Sequence, residues 1–517
     1  MKKNKALNAW SYSFLPIIIL LAIVISLIGT SLFGKEVTVE KWGVGTIELK
    51  GPSSGNPYTD VVLTAVFNND KKEIKVTGFY DGFGRYIIRF SPDTEGQWKY
   101  KTTSNVAELS GKTGILNCVK PSSDNHGPVK VVDTYYFKYA DGSPYFSVGT
   151  TCYAWIHQPD SLQERTLKTL ASAPFNKIRM CIFPKSYIYN ANEPSNFAFM
   201  RHADSSFDFS RFDPVFWRNL ERRIVELGKL GIQADLILFH PYDRWGFSEM
   251  DQASDDRYIR YAIARLGAYQ NVWWSLANEF DFMTIPVRVN HRGNKHLEDW
   301  DRFFSILQKE DPYQRLRSIH NGKIWYDHTK AWVTHASIQN SNLDKGIDLR
   351  EKYKKPVVYD ECRYEGNIER GWGQLTGKMM AQRFWIGAIN GCYVGHGETF
   401  LDRNDILWWA KGGTLHGESP TRIAFFRKIM EALPFNEMIP VHQDFNVFIL
   451  SKPRTVYLAY AVKAGPISLK LEGDRDFTVE AIDTWNMTTE TLNSAEPGEF
   501  NFTAPKNDYL LKITAGR

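Results

Sequence analysis

The sequence predicts an α/β protein: a (β/α)8 TIM barrel flanked by an N-terminal Ig-like β-sandwich and a small C-terminal β-sandwich. Three observations carry that expectation. Apolar residues alternate with a period of two in two separate stretches, one near the start and one at the end of the chain. Between them, about 300 residues alternate strand-like apolar runs with amphipathic helical ones, the repeat of a βα-barrel. The length of 517 residues leaves room for roughly three domains.

Residues 1–34 come first. Lys2, Lys3 and Lys5 precede an uncharged run from Phe14 to Phe33 that contains PIIILLAIVISLIG. A positive flank before such a run is expected of a signal peptide or signal anchor. Its length approaches the roughly 17–25 residues that span a bilayer, and Gly29 and Ser31 offer a cleavage site. Either outcome puts the rest of the chain outside the cytoplasm, secreted or anchored to the membrane by this segment.

Over 36–120 the strands are TDVVLTAVFNN, KKEIKVTGFYDG, GRYIIRFSP and GQWKYKTTS. In the third, Tyr86, Ile88 and Phe90 share one face, while Arg85 and Arg89 flank Ile87 on the other. Asn69-Asp70, Asp81-Gly82 and Ser91-Pro92 supply the turns, and PSSDNHGP at 121–128 reads as a linker.

Residues 131–433 form the expected barrel. Its strands read PYFSVGTTCYAW, NKIRMCIFP, IQADLILFH, NVWWSLANEF, RLRSIHN, AWVTHASIQ, KPVVYDECRYEG and GCYVGHGETF. The helices between them include DPVFWRNLERRIVELGKLG, with Asp213 to cap it and Pro214 in its first turn, DDRYIRYAIARLGAY and HLEDWDRFFSILQKED. The fifth and sixth units carry the weakest pattern. A doubly wound open sheet would fit the alternation too, but no GxGxxG or P-loop follows an early strand. In 434–517 the period of two returns: Val456, Leu458, Tyr460 and Val462 share a face, and PISLKLEG, DFTVEAIDTW and DYLLKITAG continue it.

The formal charge of +5 is small against 63 basic and 58 acidic residues, with no long run of one sign after the N-terminus. Nucleic acid is therefore not an expected partner. The 16 Trp and 25 Tyr suit sugar rings, as flat apolar faces with a polar edge, and suit a large core equally. Cys118, Cys152, Cys181, Cys362 and Cys392 show no CxxC or Cys/His metal spacing. Buried free thiols are expected; a Cys152–Cys392 bridge would join neighbouring first and eighth strands but is not favoured. No metal and no cofactor are expected.

Catalytic groups of a barrel project from the C-terminal strand ends. Glu279 ends the fourth strand and Glu361 the seventh, and those strands face each other across the mouth. Two opposed carboxylates there can flank a glycosidic bond, one protonating the leaving oxygen while the other attacks the anomeric carbon. Asn278 is a candidate donor to a sugar 2-hydroxyl, and Arg179, near the end of the second strand, a candidate partner that keeps Glu361 ionised. His240, His335 and His396, at or near the ends of strands three, six and eight, are candidates to orient the carboxylates or contact hydroxyls, although a structural histidine is as common. Trp155, Trp245, Trp325 and Trp372 are candidate sugar platforms; Trp273 and Trp274 read as core. Asp360 and Glu365 compete locally with Glu361. Strand alternation turns Asp360 away from its neighbour's side, and Glu365 lies farther into the loop.

The pair Asn278-Glu279 ending strand four, with Glu361 ending strand seven, resembles glycoside hydrolase clan A. That resemblance implies Glu279 as acid/base and Glu361 as nucleophile. Arg179 and His240 match positions the clan commonly fills near the site, and His335 matches its strand-six position. The three-part layout, and the opening DGSPYFSVGTTCYAW from Asp141 to Trp155, are similar to the apiosidase-like group of bacterial multidomain glycosidases. The match departs at strand eight, where GCYVGHGETF has no Trp. A retaining O-glycoside hydrolase acting on a poly- or oligosaccharide is the expectation this supports. A catalytically silent carbohydrate-binding protein would keep the aromatics without needing both carboxylates. A metal-dependent hydrolase barrel would want HxH on the first strand, which reads GTTCYAW.

Overall fold

The computed structural model describes residues 37–284, 292–401, 407–441 and 446–516. The apolar leader expected over 1–34 lies outside the described residues; among those described, no helix is long and apolar enough to cross a membrane. Eight parallel strands form the central sheet: β1 (Val148–Thr151), β2 (Lys177–Cys181), β3 (Gln233–Phe239), β4 (Val272–Ala277), β5 (Arg317–Ser318), β6 (Ala336–Gln339), β7 (Val357–Glu361) and β8 (Tyr393–His396). Their hydrogen-bonded order is β5-β4-β3-β2-β1-β8-β7-β6, a TIM barrel with one seam. At that seam, between β5 and β6, loop groups replace the ladder. Thr334 N donates to Arg317 O at 2.9 Å, and Gln339 N donates to Asn321 Oδ1 at 3.1 Å. The two-residue length of β5 explains why this part of the sequence carries so weak a strand pattern.

The helices cover the barrel for the reasons their sequences suggest. In Pro214–Lys229, Asp213 accepts from Val215 N and proline opens the first turn. Phe216, Trp217, Leu220, Ile224 and Leu227 recur three and four apart and are buried. Helices Gln252–Leu266 and Leu297–Glu310 follow the same pattern.

Before the barrel, a five-stranded and a three-stranded sheet close around Phe67, Phe90, Trp98 and Leu116. Strand Arg85–Phe90 is buried on both faces. Tyr86, Ile88 and Phe90 enter that core, while Ile87 joins the core of the barrel. After the barrel, a six-stranded sheet and a two-stranded one enclose Val447, Ile449, Leu469 and Ile513. The alternate residues Phe448, Leu450, Leu458 and Tyr460 pack on the barrel, and Tyr460 stacks on Trp385 at 6.0 Å. All five cysteines are buried free thiols, so Cys152 and Cys392 are not bridged.

Candidate active site

Both strand-end glutamates arrive at one cavity. The apolar run Val272–Ala277 fixes β4 in the barrel wall, and the chain then turns sharply at Glu279, whose φ is 53°. A non-glycine residue in the left-handed region is held there by its surroundings. The next turn is pinned by the Asp281 carboxylate, which accepts from the backbone N–H groups of Gly322 (2.6 Å), Lys323 (2.8 Å) and Ile324 (2.9 Å) in the loop after β5.

In β7 the register against β6 slips by one residue: Ile338 lies opposite Tyr359, and Gln339 opposite Glu361. The extra residue lets Asp360 and Glu361 both turn inward. Asp360 therefore does not face away from Glu361, as simple alternation predicts. It lies within the barrel, accepting from Lys177 Nζ at 2.6 Å and Ser337 Oγ at 2.5 Å. Lys177 also binds Asp235 at 2.9 Å, and Arg179 approaches Asp235, Asp360 and Glu361 at 3.6, 3.9 and 4.0 Å.

The two glutamates are linked directly through Gln339. With its amide nitrogen toward the cavity, Gln339 donates to Glu361 Oε2 at 3.1 Å and to Glu279 Oε1 at 3.2 Å; the opposite orientation would set its carbonyl oxygen against two acceptors. Glu279 Oε2 accepts from Asn278 Nδ2 at 3.2 Å and from the Tyr242 hydroxyl. The Tyr153 hydroxyl donates to Glu361 Oε1 and lies 2.9 Å from Asn278 Oδ1. Burial, then the neighbouring Glu361 charge, pushes the Glu279 carboxyl up to about 7. Lys185 sits among aromatic rings, its Nζ 3.6 Å from the centre of Tyr153 and 4.2 Å from that of Tyr242. Burial lowers its pKa.

The cavity holds about 910 Å³, with Glu279 and Glu361 in its lining beside Tyr187, Tyr189, Tyr364, Trp372 and Trp409. Trp372 and Trp409 are 5.0 Å apart. Trp409 belongs to the short helix Trp408–Lys411 after β8. An indole thus reaches the cavity from beyond the strand end that lacks one.

Of the residues singled out from sequence, Glu279, Glu361, Asn278, Arg179 and His240 converge here. His240 acts at one remove. Its Nε2 donates to Phe183 O at 3.1 Å, and its Nδ1 accepts from Tyr242 N at 3.2 Å. Burial holds it down to about 3, so it positions Tyr242 as a neutral ring. Asn278 is fully buried; its Nδ2 donates to Glu279 Oε2 at 3.2 Å and its Oδ1 accepts from the Tyr153 hydroxyl at 2.9 Å, which orients Glu279.

His335, His396 and Trp155 are not brought to the cavity. His335 precedes β6 and packs at the opposite barrel end, 5.2 Å from Trp273 and 5.7 Å from Phe137. His396 turns outward from β8, stacking on Phe175 at 4.7 Å. Trp155 is fully buried, its Nε1 donating to Gln163 O at 3.2 Å. Among the other candidate platforms, Trp245 donates to Glu193 Oε2 at 3.1 Å, and Trp325 borders a smaller neighbouring cavity. Only Trp372 of the four lines the main one. Sequence reasoning missed Tyr153, Lys185, Tyr242, Gln339 and Trp409. Tyr153 and Tyr242 lie two and three residues past the ends of β1 and β3, where the strand-end rule had the signal to find them.

A TIM barrel with two carboxylates and an aromatic cleft at the C-terminal strand ends defines a glycosidase. The chain belongs to the family described as "Apiosidase-like, catalytic domain", which matches residues 132–437. Residues 38–105 match a domain of unknown function, DUF5060. A candidate glycoside hydrolase from Bacteroides vulgatus ATCC 8482 is 36% identical, covering 93% of this chain and 100% of its own, with a TM-score of 0.85. A glycoside hydrolase family 5 protein from the same organism shares the fold at 15% identity, with a TM-score of 0.60 over 75% of this chain and 94% of its own. No curated protein matches the sequence.

Proposed function

We propose that this glycosidase cleaves O-glycosidic bonds of a poly- or oligosaccharide with retention, Glu361 serving as nucleophile and Glu279 as general acid and then base. The observation that carries this reading is the Gln339 amide shared between the carboxylates at 3.1 and 3.2 Å. Two bonds to one nitrogen keep those oxygens closer than the about 6.5–9.5 Å of an inverting pair, which must seat a water between them. The raised Glu279 suits an acid that arrives protonated. Tyr153, Gln339 and the nearby Arg179 offer donors and positive charge to an ionised Glu361.

Glu361 attacks the anomeric carbon as Glu279 gives its proton to the departing glycosidic oxygen, forming a glycosyl ester. Glu279, now ionised, takes a proton from water, whose oxygen attacks the same carbon and releases Glu361. Aromatic faces of Trp372 and Trp409 offer stacking to the sugars. By the same reading the leader at 1–34 directs the enzyme out of the cytoplasm, and the boundaries 36–120, 131–433 and 434–517 divide an Ig-like sandwich, the catalytic barrel and a smaller sandwich.

The test is Glu361→Gly on a panel of aryl glycosides. Turnover should vanish, and azide should restore it with a glycosyl azide of inverted anomeric configuration, since azide then takes the nucleophile's place. Azide rescue confined to Glu279→Ala would leave Glu361 without its role. Product anomers of inverted configuration from the parent enzyme, followed by NMR, would overturn retention.

A further inference from the structure

A second cluster of ligating side chains lies behind the wall between β7 and β8, apart from the cavity lining. Glu365 and Glu398 stand on two short parallel strands, Glu365–Gly366 and Glu398–Thr399, and His396 ends β8. All three are at most 1% exposed. One oxygen from each carboxylate and one His396 ring nitrogen lie within 4.8 Å of one another.

Each carboxylate accepts two backbone N–H groups from a single loop. Glu398 takes His416 at 2.5 Å and Gly417 at 2.9 Å; Glu365 takes Glu418 at 2.7 Å and Ser419 at 3.1 Å, at the start of helix Ser419–Glu431. The loop is pressed onto both: a Cβ at Gly417 would stand 2.5 Å from Glu365 Oε2 and 2.7 Å from Glu398 Oε2. Amide dipoles solvate these carboxylates but bring no full positive charge.

The histidine offers the third donor. His396 Nδ1 meets Thr150 Oγ1 at 3.1 Å, and that oxygen accepts from Trp408 Nε1 at 2.8 Å. Nε2 is buried with no hydrogen-bond partner. A neutral imidazole oriented through Nδ1, with a free lone pair on Nε2, is the usual state of a ligating histidine. Carboxylate oxygens that accept one N–H keep a second lone pair for a cation.

We propose that Glu365, Glu398 and His396 bind one divalent cation, Zn2+ by donor type. Two carboxylates and an imidazole suit zinc, and so enclosed a site disfavours the six to eight oxygens Ca2+ takes. The ion joins the loop after β7, the end of β8 and the start of helix Ser419–Glu431. It thereby braces the segments that present Tyr364 and Trp409 to the cavity. Its role is structural, and it stands whichever glutamate attacks the sugar.

The full chain, purified without added metal and analysed by plasma mass spectrometry, should carry about one zinc per molecule. Chelator should lower Tm by about 5 °C or more, and stoichiometric Zn2+ should restore it. Co2+ added to the chelated chain should give the visible d–d absorption of a protein-bound ion, a readout that needs no variant. His396→Gln and Glu398→Gln should lose both the ion and the Tm response. An ion content near zero, with a Tm indifferent to chelator, zinc and Co2+, would overturn the site and leave a proton-sharing carboxyl pair. So would an ion retained undiminished in His396→Gln.

Discussion

Glu279 combines a left-handed backbone with a carboxyl held near neutrality, and both follow from where β4 ends. The turn aims the side chain into the cavity beside Glu361, where burial and like charge favour the protonated form. With Glu279 as the acid, kcat/KM should fall as pH rises through about 7. Tyr242→Phe removes a hydrogen bond that favours the charged form. The alkaline limb should therefore move upward in a pH–rate profile. The same shift sets a sign for stability. A folded value above the ordinary 4.5 means the folded state binds this proton more tightly, so its stabilising contribution is full below 4.5 and lost as pH approaches 7. Glu279→Gln should flatten that slope in urea melts taken across the interval. Glu279→Ala should cost about 10²–10⁴-fold on substrates with poor leaving groups, and far less on dinitrophenyl glycosides, which need no protonation. At this scale the sequence was legible wherever an apolar run delivered a polar residue to a strand end, as with Glu279, Glu361, Arg179 and His240. It was not legible for Gln339, whose reach to both carboxylates depends on the slipped register of β6 against β7. His335 misled because its apolar segment begins before β6 does; the histidine enters the strand from below.

That slip is what an element contributes beyond its residues. Without it Glu361 would face the helices; with it, Glu361 reaches the cavity above Asp360, which joins Lys177, Asp235 and Arg179 in a charge layer. Lys177 is fully buried and bonded to both aspartates. Lys177→Met should cost about 3–5 kcal/mol, since it leaves buried carboxylates short of a cation, and chemical denaturation should show it. Aromatic positions divide in the same way. Trp155→Ala empties a closed site and should cost about 3–5 kcal/mol of stability. Trp409→Ala opens onto the cavity and should raise KM with a smaller change in Tm. Opposite outcomes for the two indoles would reverse their assignment to core and cleft. Strand and helix periodicity made most barrel units readable, but β5 has only two residues in its ladder, too few for any pattern. The hairpin Phe199–Arg201 with Phe207–Phe212, in the loop after β2, also escaped. Its alternation is broken by a register shift, and its phenylalanines read equally as loop packing.

Two seams join the flanking sheets to the barrel, and the alternation of single strands anticipates the apolar part of both. The C-terminal sheet meets the barrel through apolar residues, Leu450, Leu458 and Tyr460 among them, and through Asp508, which pairs with Lys378 at 3.1 Å and accepts from Gln382 Nε2 at 2.7 Å. The N-terminal sandwich adds a buried network of several charges. Strand Arg85–Phe90 turns Ile87 and Arg89 toward the barrel, where Arg89 pairs with Glu221. Glu221 in turn binds Arg265 at 2.5 Å, and Arg265 binds Asp81 at 2.8 Å. Sequence placed Arg89 on the outer face of its strand but gave no partner, because Glu221 and Arg265 lie on helices far along the chain. Glu221 is the shared anion of two buried guanidinium groups, so Glu221→Ala should cost about 3–5 kcal/mol. Asp81→Ala should be non-additive with it, since both lean on Arg265. The loss should fall on docking. Limited proteolysis should cut the variant between sandwich and barrel sooner than the parent, while kcat of the folded enzyme holds, because the seam does not touch the cavity. Unchanged proteolysis and unchanged urea unfolding would mean that Phe79, Ile87 and Tyr261 hold this seam by apolar contact alone.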